Sequence, residues 1–396
     1  MTRARCIGIL TSGGDCPGLN AAIRGVAKPA LSDFHIEVIG IEKGFRGLVE
    51  NHSRVLHPHD VSGILSLGGT ILGTSREKPH KMPLPNGETV DLTARAVETY
   101  SRLGLDCLVC LGGNGTHKVA FNLMKNGLNV IGLPKTIDND LAETDMTFGH
   151  DSAVNTATEA IDKLYSTAEA HLRVMVIELM GHNAGWLTLS AGLAGGADII
   201  LIPEIPYDLD SICQHLIERR RRGKWFSIVA VAEGARLKRP GMKAEDIAAG
   251  VSLAAALTKD EFKKEKKKDK KRKKHKKQKS SAEAVSDVLD DSGDGRASSS
   301  VAKAISKRLG METRVTVLGH LQRGGLPTPF DRILATRFGT HAAEMLAEGV
   351  YNQMVALHGS EVTSVPLEQV AGKIKLVPPD HALIVAARRV GTNFGD

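Results

Sequence analysis

The chain has 396 residues, of which 42% are hydrophobic and 24% charged, and its formal net charge is +7. This length suffices for two or three cores, and no stretch is apolar enough for long enough to predict a membrane span. The odd number of cysteines, 5, argues against a disulfide framework and favours a cytoplasmic location.

The first predicted unit is a short strand followed by a glycine-rich turn and a helix. The apolar run 6–10 leads into Thr11-Ser12-Gly13-Gly14-Asp15, and residues 18–31 have helical character. At such a junction the backbone N–H groups of the turn and the helix start favour an anion. Because no Gly-Lys-Ser/Thr sequence closes the turn, it is not a Walker motif.

Two predicted strands, at 106–111 and 129–133, end in residues suited to phosphoryl transfer. The first leads into Gly112-Gly113-Asn114-Gly115-Thr116, and the second into Thr136-Ile137-Asp138-Asn139-Asp140. Functional residues of parallel α/β sheets lie at strand ends. A glycine-rich turn can bind phosphate, and two carboxylates one residue apart can supply a base and a metal contact. The pattern therefore favours phosphoryl transfer.

Strands and helices alternate along most of the chain. Other strands are predicted at 6–10, 36–41, 173–178, 199–203, 226–232 and 314–318, and helices at 18–31, 59–66, 91–103, 115–126, 151–169, 184–195, 208–221, 300–309 and 330–348. This alternation predicts parallel sheets with helices on both faces.

The positive charge is concentrated in one segment. Residues 263–279 contain thirteen Lys or Arg and two acidic residues, so the rest of the chain is slightly acidic. The wider segment 259–299 has few apolar side chains, which predicts a disordered insertion. A tolerated surface loop is the favoured interpretation, and weak binding of polyanions is the alternative.

Seven blocks in chain order resemble the phosphofructokinase family. They are residues 10–15, 73–76, 112–116, 134–140, 178–181, 232–234 and 317–325. The resemblance runs from the first strand to about residue 340. It implies an α/β fold with two doubly wound parallel-sheet lobes and the active site in the cleft. It also implies a donor-phosphate-binding lobe at 1–149 with 322–372, and a sugar-phosphate-binding lobe at 150–321 with 373–396.

The resemblance implies transfer of a phosphoryl group to the 1-hydroxyl of fructose 6-phosphate, a glycolytic reaction. Asp138 would be the catalytic base and Thr136 would help position the hydroxyl. The family pattern assigns donor contacts to Gly13, Arg76, Glu77, Gly113, Asn114, Gly115 and Thr116. It assigns sugar-phosphate contacts to Thr136, Ile137, Asp138, Arg173, Met180, Gly181, His182, Glu233, Arg314, His320 and Arg323.

In this family the residues corresponding to Arg173 and Arg314 reach into the neighbouring subunit's site. A homodimer or homotetramer with shared active sites is therefore expected. No membrane partner is expected.

Three departures from the family pattern affect the metal and the donor. Asn114 stands where the family normally has Asp, so Mg²⁺ is expected at Asn114 and Asp140 with weaker binding. His182 stands where Arg is common. Gly115 favours ATP as donor, whereas Lys135 resembles pyrophosphate users as well as the ATP enzymes of plants and kinetoplastids, which leaves a pyrophosphate-dependent enzyme as the alternative.

Two further hypotheses come from other classes. Because of Asn114, the chain could be a catalytically weak regulatory or scaffold subunit. NAD kinases and diacylglycerol kinases carry a similar glycine-rich turn, but they lack the Met180-Gly181 block and the block at 320–323.

Overall fold

A computed structural model describes residues 3–238 and 296–396 of the chain. The strands are β1 (Cys6–Thr11), β2 (Glu37–Ile41), β3 (Ser53–Val55), β4 (Met82–Pro83), β5 (Thr89–Val90), β6 (Cys107–Gly112), β7 (Val130–Pro134), β8 (Val174–Leu179), β9 (Ile199–Leu201), β10 (Ser227–Ala232), β11 (Thr313–Val317), β12 (Gln353–His358) and β13 (Glu361–Pro366).

The helices are α1 (Leu19–Ser32), α2 (Gly44–Glu50), α3 (Thr93–Arg102), α4 (Asn114–Lys125), α5 (His150–His171), α6 (Trp186–Ala194), α7 (Leu209–Arg221), α8 (Ala297–Leu309), α9 (Pro329–Glu348), α10 (Leu367–Val370) and α11 (Ala382–Arg389). A short 3-10 helix spans Gly319–Arg323.

The chain forms two compact units. Unit 1 contains Met1–Ala153 and His320–Lys375, and unit 2 contains Val154–Gly319 and Leu376–Asp396. The resemblance placed the corresponding boundaries after residues 149, 321 and 372. His320 and Lys375 therefore lie in unit 1. The predicted boundaries place both residues in the second lobe instead. The binding roles assigned to the two lobes stay predictions.

Unit 1 is built on a seven-stranded sheet in the order β13-β12-β7-β6-β1-β2-β3. The central strands are parallel, while β3 and β13 are antiparallel edge strands. Every residue of β6 and β7 is buried, as expected for apolar strands covered on both faces. The predicted parallel sheet is confirmed, although the hairpin of β12 and β13 was not predicted.

Unit 2 is built on a parallel four-stranded sheet in the order β11-β8-β10-β9. Two of its helices are bounded by capping residues of the kind that can be recognised in a sequence. The Asp208 carboxylate accepts a hydrogen bond from Asp210 N–H at 2.8 Å and so caps the start of α7. Gly310, at φ 62°, ends α8 in the left-handed conformation.

Two predicted segments are corrected by the structure. The helix predicted over 59–66 is wrong, because these residues form turns in which Gly63 has a φ of 75° and the Asp60 carboxylate accepts from His57 N–H at 2.8 Å. The predicted insertion 259–299 extends too far, because α8 begins at Ala297. Its buried Ser298 donates to the Glu178 carboxylate, which fixes the helix start to β8. The remainder of that prediction, residues 259–295, lies outside the described residues.

Candidate active site

Three strand ends of unit 1 bring the predicted phosphate and catalytic segments to one edge of the sheet. Strands β7, β6 and β1 are adjacent and parallel, with Thr11 opposite Leu111 and Gly112 opposite Pro134. The segments that follow these strands begin at Ser12, Gly113 and Lys135. The fold therefore places side by side two glycine-rich turns and the loop that carries Asp138.

The two glycine-rich turns are held by backbone and hydroxyl contacts. Gly13, at φ 90°, donates its N–H to Ser75 O at 2.8 Å and accepts from Thr74 Oγ1 at 2.8 Å. The Thr116 hydroxyl donates to Ser12 O at 3.2 Å, which ties the second turn to the first. A Cβ at Gly115 would have nothing within 4 Å, so this position opens onto free space.

Asp138 and Thr136 lie in a tightly ordered loop. Asp138 N–H donates to Thr136 Oγ1 at 3.0 Å, so the hydroxyl accepts one bond and keeps its own proton for another acceptor. Asn139 has a φ of 49° and its side-chain oxygen accepts from Thr147 N–H at 3.1 Å. Ile137 itself is 2% exposed, so it offers a ligand mainly its backbone.

Two cations lie beside the first glycine-rich turn. Lys135 is 4% exposed and its ammonium donates to Gly14 O. Burial lowers the Lys135 pKa, with Asp138 and Asp15 among the charges that oppose the shift. Arg323 donates from Nη1 to Asp15 O at 3.2 Å. Positive charge therefore surrounds this end of the site, as binding of a phosphate group requires.

Two buried histidines support the site, and sequence reasoning missed both. His117 Nδ1 lies 3.0 Å from Gly113 O, and His150 Nδ1 lies 2.8 Å from Ile137 O. Since a carbonyl oxygen only accepts, each Nδ1 must carry the proton. Burial lowers the pKa of each histidine to about 4, so both rings are neutral near pH 7. His117 directly follows the turn at 112–116, which is its only sequence signal, whereas His150 lies ten residues beyond Asp140 and no local pattern marks it.

Arg76 and Glu77, predicted to contact the donor, follow the loop that supports Gly13. Arg76 is exposed, while Glu77 Oε1 lies 3.4 Å from Arg46 Nη1. The backbone of Ser75, one residue earlier, already contacts Gly13. Arg76 therefore directly follows Ser75, the residue that contacts the turn at Gly13, and its own side chain is exposed.

The other predicted contacts lie at strand ends of unit 2. Strands β8 and β10 are parallel neighbours, with Leu179 opposite Ala232. His182 N–H donates to Glu233 Oε1 at 3.0 Å. A Cβ at Gly234 would lie 2.2 Å from His182 O, so the two loops touch through their backbones. Met180 and Gly181 belong to the same loop, and Gly181 has a φ of 137°.

Arg173 and Arg314 share one acidic partner in unit 2. Arg173 Nη2 lies 2.9 Å from Glu312 Oε1, and Arg314 Nη2 lies 2.6 Å from the same oxygen. The two guanidinium groups hold the pKa of Glu312 below its usual value. The pair therefore concentrates positive charge beside the β11 edge strand, where the Arg314 side chain is 58% exposed.

The sequence family is established by comparison with known proteins. A family profile described as Phosphofructokinase matches residues 6–346. The chain belongs to the phosphofructokinase family. A Spirochaeta thermophila protein named ATP-dependent 6-phosphofructokinase is 56% identical over 99% of this chain and 98% of that protein. A Propionibacterium freudenreichii protein of the same name is 49% identical over 98% of this chain and 99% of its own length.

Solved phosphofructokinase structures have the same fold. The Pichia pastoris phosphofructokinase in the T-state gives a TM-score of 0.69 at 28% identity; the match covers 94% of this chain but 36% of that longer chain. The pyrophosphate-dependent phosphofructokinase of Marinobacter aquaeolei gives a TM-score of 0.72 at 20% identity, over 98% of this chain and 88% of that one. The predicted phosphofructokinase-type α/β fold is thus confirmed.

The carboxylates of unit 1 suit a magnesium ion that arrives with a nucleotide. Within residues 3–238 and 296–396, no three His, Cys, Asp or Glu side chains cluster as a metal site. Mg²⁺ commonly uses one or two protein carboxylates together with substrate phosphates and water. Asp140, on the loop that also carries the predicted base Asp138, fits that requirement. Asn114, the other predicted ligand, is already hydrogen-bonded through both polar atoms of its amide.

None of the helices in the described ranges is both long and apolar enough to cross a bilayer.

Proposed function

We propose that the chain is an ATP-dependent 6-phosphofructokinase, which converts fructose 6-phosphate to fructose 1,6-bisphosphate. The observation that carries the proposal is the adjacency of two segments on neighbouring parallel strands. The turn at 113–116 can bind phosphate, and the loop that follows β7 presents Asp138. Curated relatives at 44–56% identity, all named ATP-dependent 6-phosphofructokinase, support the same activity.

Asp138 acts as the general base in this reaction. Its carboxylate takes the proton from the sugar 1-hydroxyl as that oxygen attacks the γ-phosphorus. The bond between the γ-phosphorus and the bridging oxygen breaks, and ADP leaves with the electron pair. The Thr136 hydroxyl can donate to the attacking oxygen, because it receives Asp138 N–H and so has its own proton available.

The donor phosphates bind to the glycine-rich turns. Gly13, Gly113 and Thr116 supply the turns, and Arg76 and Glu77 belong to the loop that contacts Gly13. Asp140 would hold magnesium, with Asn114 as the second predicted contact. The ion supplies positive charge that offsets the charge on the donor phosphates.

The sugar phosphate binds through Met180, Gly181, His182 and Glu233 and through the cations Arg173, Arg314, His320 and Arg323. The bond between His182 N–H and Glu233 supports the first group, because it brings two strand ends together. A phosphate dianion favours several charged donors, which supports the second group. His320 is exposed in the 3-10 helix that also contains Arg323.

The enzyme forms a homodimer or homotetramer with shared active sites in this proposal. The guanidinium groups of Arg173 and Arg314 both pair with Glu312, and the exposed Arg314 in particular is suited to a ligand bound by a neighbouring subunit. Fructose 6-phosphate would then bind at a site completed by two chains. The absence of a membrane-spanning helix among the described helices agrees with a cytoplasmic location.

Pyrophosphate is the second candidate donor, and Lys135 is the observation that favours it. The buried ammonium of Lys135 lies beside Gly14 and supplies a fixed cation for a compact anion. Gly115 favours ATP instead, because the space beyond its Cα is open to a larger donor.

A coupled assay of the purified chain tests the proposal. Fructose 6-phosphate and Mg²⁺ are supplied with either ATP or pyrophosphate, and fructose 1,6-bisphosphate is detected through aldolase. We expect a specificity constant at least tenfold higher with ATP. A higher constant with pyrophosphate would favour the second donor, and no product with either would refute the proposed reaction.

A further inference from the structure

Residues 372–375 contact the phosphate-binding turn of unit 1 through Asn114. The Asn114 Oδ1 accepts a hydrogen bond from Gly372 N–H at 3.2 Å, and its Nδ2 donates to Lys373 O at 2.8 Å. Both polar atoms of one side chain at the start of α4 therefore bind the same stretch of backbone.

The same short segment contacts the catalytic loop through Lys375. Lys375 N–H donates to Asp140 O at 2.9 Å, and Ile374 pairs with Leu141 in an antiparallel bridge. The Lys375 ammonium donates to Asn139 Oδ1 at 3.2 Å and to the carbonyl oxygens of Thr144 and Asp145 at 2.8 and 2.9 Å. Residue 375 thus holds the loop from Asn139 to Asp145 at several points.

The segment has a fixed attachment of its own. Leu367 and Val370 of α10 are fully buried in the same apolar cluster as Leu123 of α4. Gly372 has a φ of 89°, which glycine adopts without the strain that a side chain would add. The chain entering the segment is therefore packed against the helix that begins with Asn114.

We propose that residues 372–375 form a clamp that sets the spacing between the turn at 113–116 and the loop at 136–140, with Asn114 and Lys375 as positioning residues. The inference rests on the proposed function, because transfer from a phosphate on one segment to a hydroxyl activated by the other depends on their separation. The clamp consists only of contacts within unit 1.

The clamp accounts for an amide at position 114. A carboxamide can accept from one backbone group and donate to another, whereas an ionised carboxylate can only accept. Aspartate at 114 would place a carboxylate oxygen against Lys373 O, where the amide now donates at 2.8 Å. Asn114, which stands where the family pattern has Asp, is thus the residue type that the contacts with Gly372 and Lys373 require.

Variants at position 114 separate the clamp from metal binding. If Asn114 were mainly a magnesium ligand, Asn114→Asp would lower the Mg²⁺ concentration for half-maximal rate and would outperform Asn114→Ala. The clamp predicts that kcat falls at least fivefold in both variants. It also predicts that Asn114→Asp is no faster than Asn114→Ala and needs no less Mg²⁺. An Asn114→Asp enzyme faster than Asn114→Ala, or one that needs less Mg²⁺, would overturn the proposal.

Lys375→Met tests the other end of the clamp. We expect kcat to fall about tenfold while the KM for fructose 6-phosphate stays within about twofold, because the reacting groups are misplaced while the predicted cations that hold the sugar phosphate are unchanged. Lys125→Met, on α4, and Asn126→Asp, just after it, are the matched controls. Both positions are exposed and distant in sequence from the clamp, and both variants should retain wild-type kcat. A wild-type kcat for Lys375→Met would contradict the proposal.

Hydrogen exchange tests the clamp without any activity measurement. The Gly372 amide donates to Asn114 Oδ1, so its exchange in the folded full-length protein should accelerate at least tenfold in Asn114→Ala and stay unchanged in Asn126→Asp. Unchanged exchange in Asn114→Ala would refute the clamp even in an active enzyme. A wild-type chain inactive with both donors would instead refute the proposed function, while the exchange result would still decide the clamp.

Discussion

The predicted site residues of unit 1 and those of unit 2 differ in burial. In unit 1, the functional loops rest on buried polar groups, with Lys135 and His150 each 4% exposed and His117 fully buried. In unit 2, the cationic residues are closer to solvent, and Arg314 is 58% exposed at its side chain.

This difference in burial suits the two sets of residues to different roles. Buried, hydrogen-bonded groups hold a reacting atom in place without reorganising, which suits the chemical step. Exposed arginines gain little from their ion pairs in water and can exchange one anionic partner for another, which suits reversible binding of a phosphate. We therefore expect changes at the catalytic loop of unit 1 to lower kcat and changes at the arginines of unit 2 to raise KM.

The largest effect is expected at Asp138. Asp138→Asn should lower kcat by about two to four orders of magnitude while leaving fructose 6-phosphate binding nearly unchanged, because the amide cannot accept the proton. Steady-state kinetics and equilibrium binding of the sugar phosphate measure the two quantities. Asp162→Asn, an exposed change on α5, is the matched control. Near-normal kcat for Asp138→Asn would exclude Asp138 as the base.

The next effect concerns the choice of donor. Gly115→Asp should reduce kcat/KM for ATP about 100-fold and any pyrophosphate activity much less, because the new carboxylate occupies open space and repels the nucleotide phosphates. The free space beyond Gly115 means that the variant should fold normally. Asn122→Asp, which adds the same charge further along α4, serves as the control. Equal losses with both donors would show that position 115 does not select between them.

A smaller effect is expected at the exposed Arg314 of unit 2. Arg314→Ala should raise the KM for fructose 6-phosphate about tenfold with kcat changed less than twofold, since one charge-assisted contact to phosphate is lost. The KM should also become less sensitive to salt. Arg389→Ala, an exposed change in α11, controls for loss of surface charge. A drop in kcat at unchanged KM would contradict the contrast between the buried residues of unit 1 and the exposed arginines of unit 2.

The smallest effect is expected in the basic insertion. Replacing residues 259–295 by a short Gly-Ser linker should leave kcat and the melting temperature nearly unchanged, because the entropy of closing a loop varies slowly with its length. The replacement ends before Ser298, whose bond to Glu178 belongs to the body of unit 2. Retention on heparin at low salt should be lost, because residues 263–279 contain thirteen Lys or Arg and only two acidic residues. Unaltered retention would place the basic surface elsewhere.

Much of the fold could be predicted from sequence because buried parallel strands are continuous apolar runs. Strand β6 is such a run and its prediction at 106–111 was nearly correct. The hairpin of β12 and β13 was missed, since β13 is only half-buried and has no sustained apolar pattern. The prediction of a helix at 59–66 was wrong because the Asp60 side chain bonds the backbone of His57 and stabilises a turn there instead.

The residues of the candidate site could be predicted only where they are contiguous in the sequence and form a recognisable motif. The turn at 113–116 and the loop at 136–140 are contiguous in sequence, so their residue types could be interpreted together. His117, His150 and Lys375 act through contacts that only the folded chain creates. Lys375 meets Asn139 across more than 200 residues, with the ammonium 3.2 Å from Oδ1. Nothing in the sequence pairs these two residues.

The most direct test of the account follows the transferred phosphoryl group. The wild-type chain and Asp138→Asn are incubated with fructose 6-phosphate, Mg²⁺ and ATP labelled with ³²P in the γ-phosphate, and the sugar products are separated. We expect wild type to place the label on carbon 1 of fructose 1,6-bisphosphate, and Asp138→Asn to form this product at least about 100-fold more slowly. Label released as free phosphate, or placed on the sugar equally fast by both proteins, would contradict this expectation.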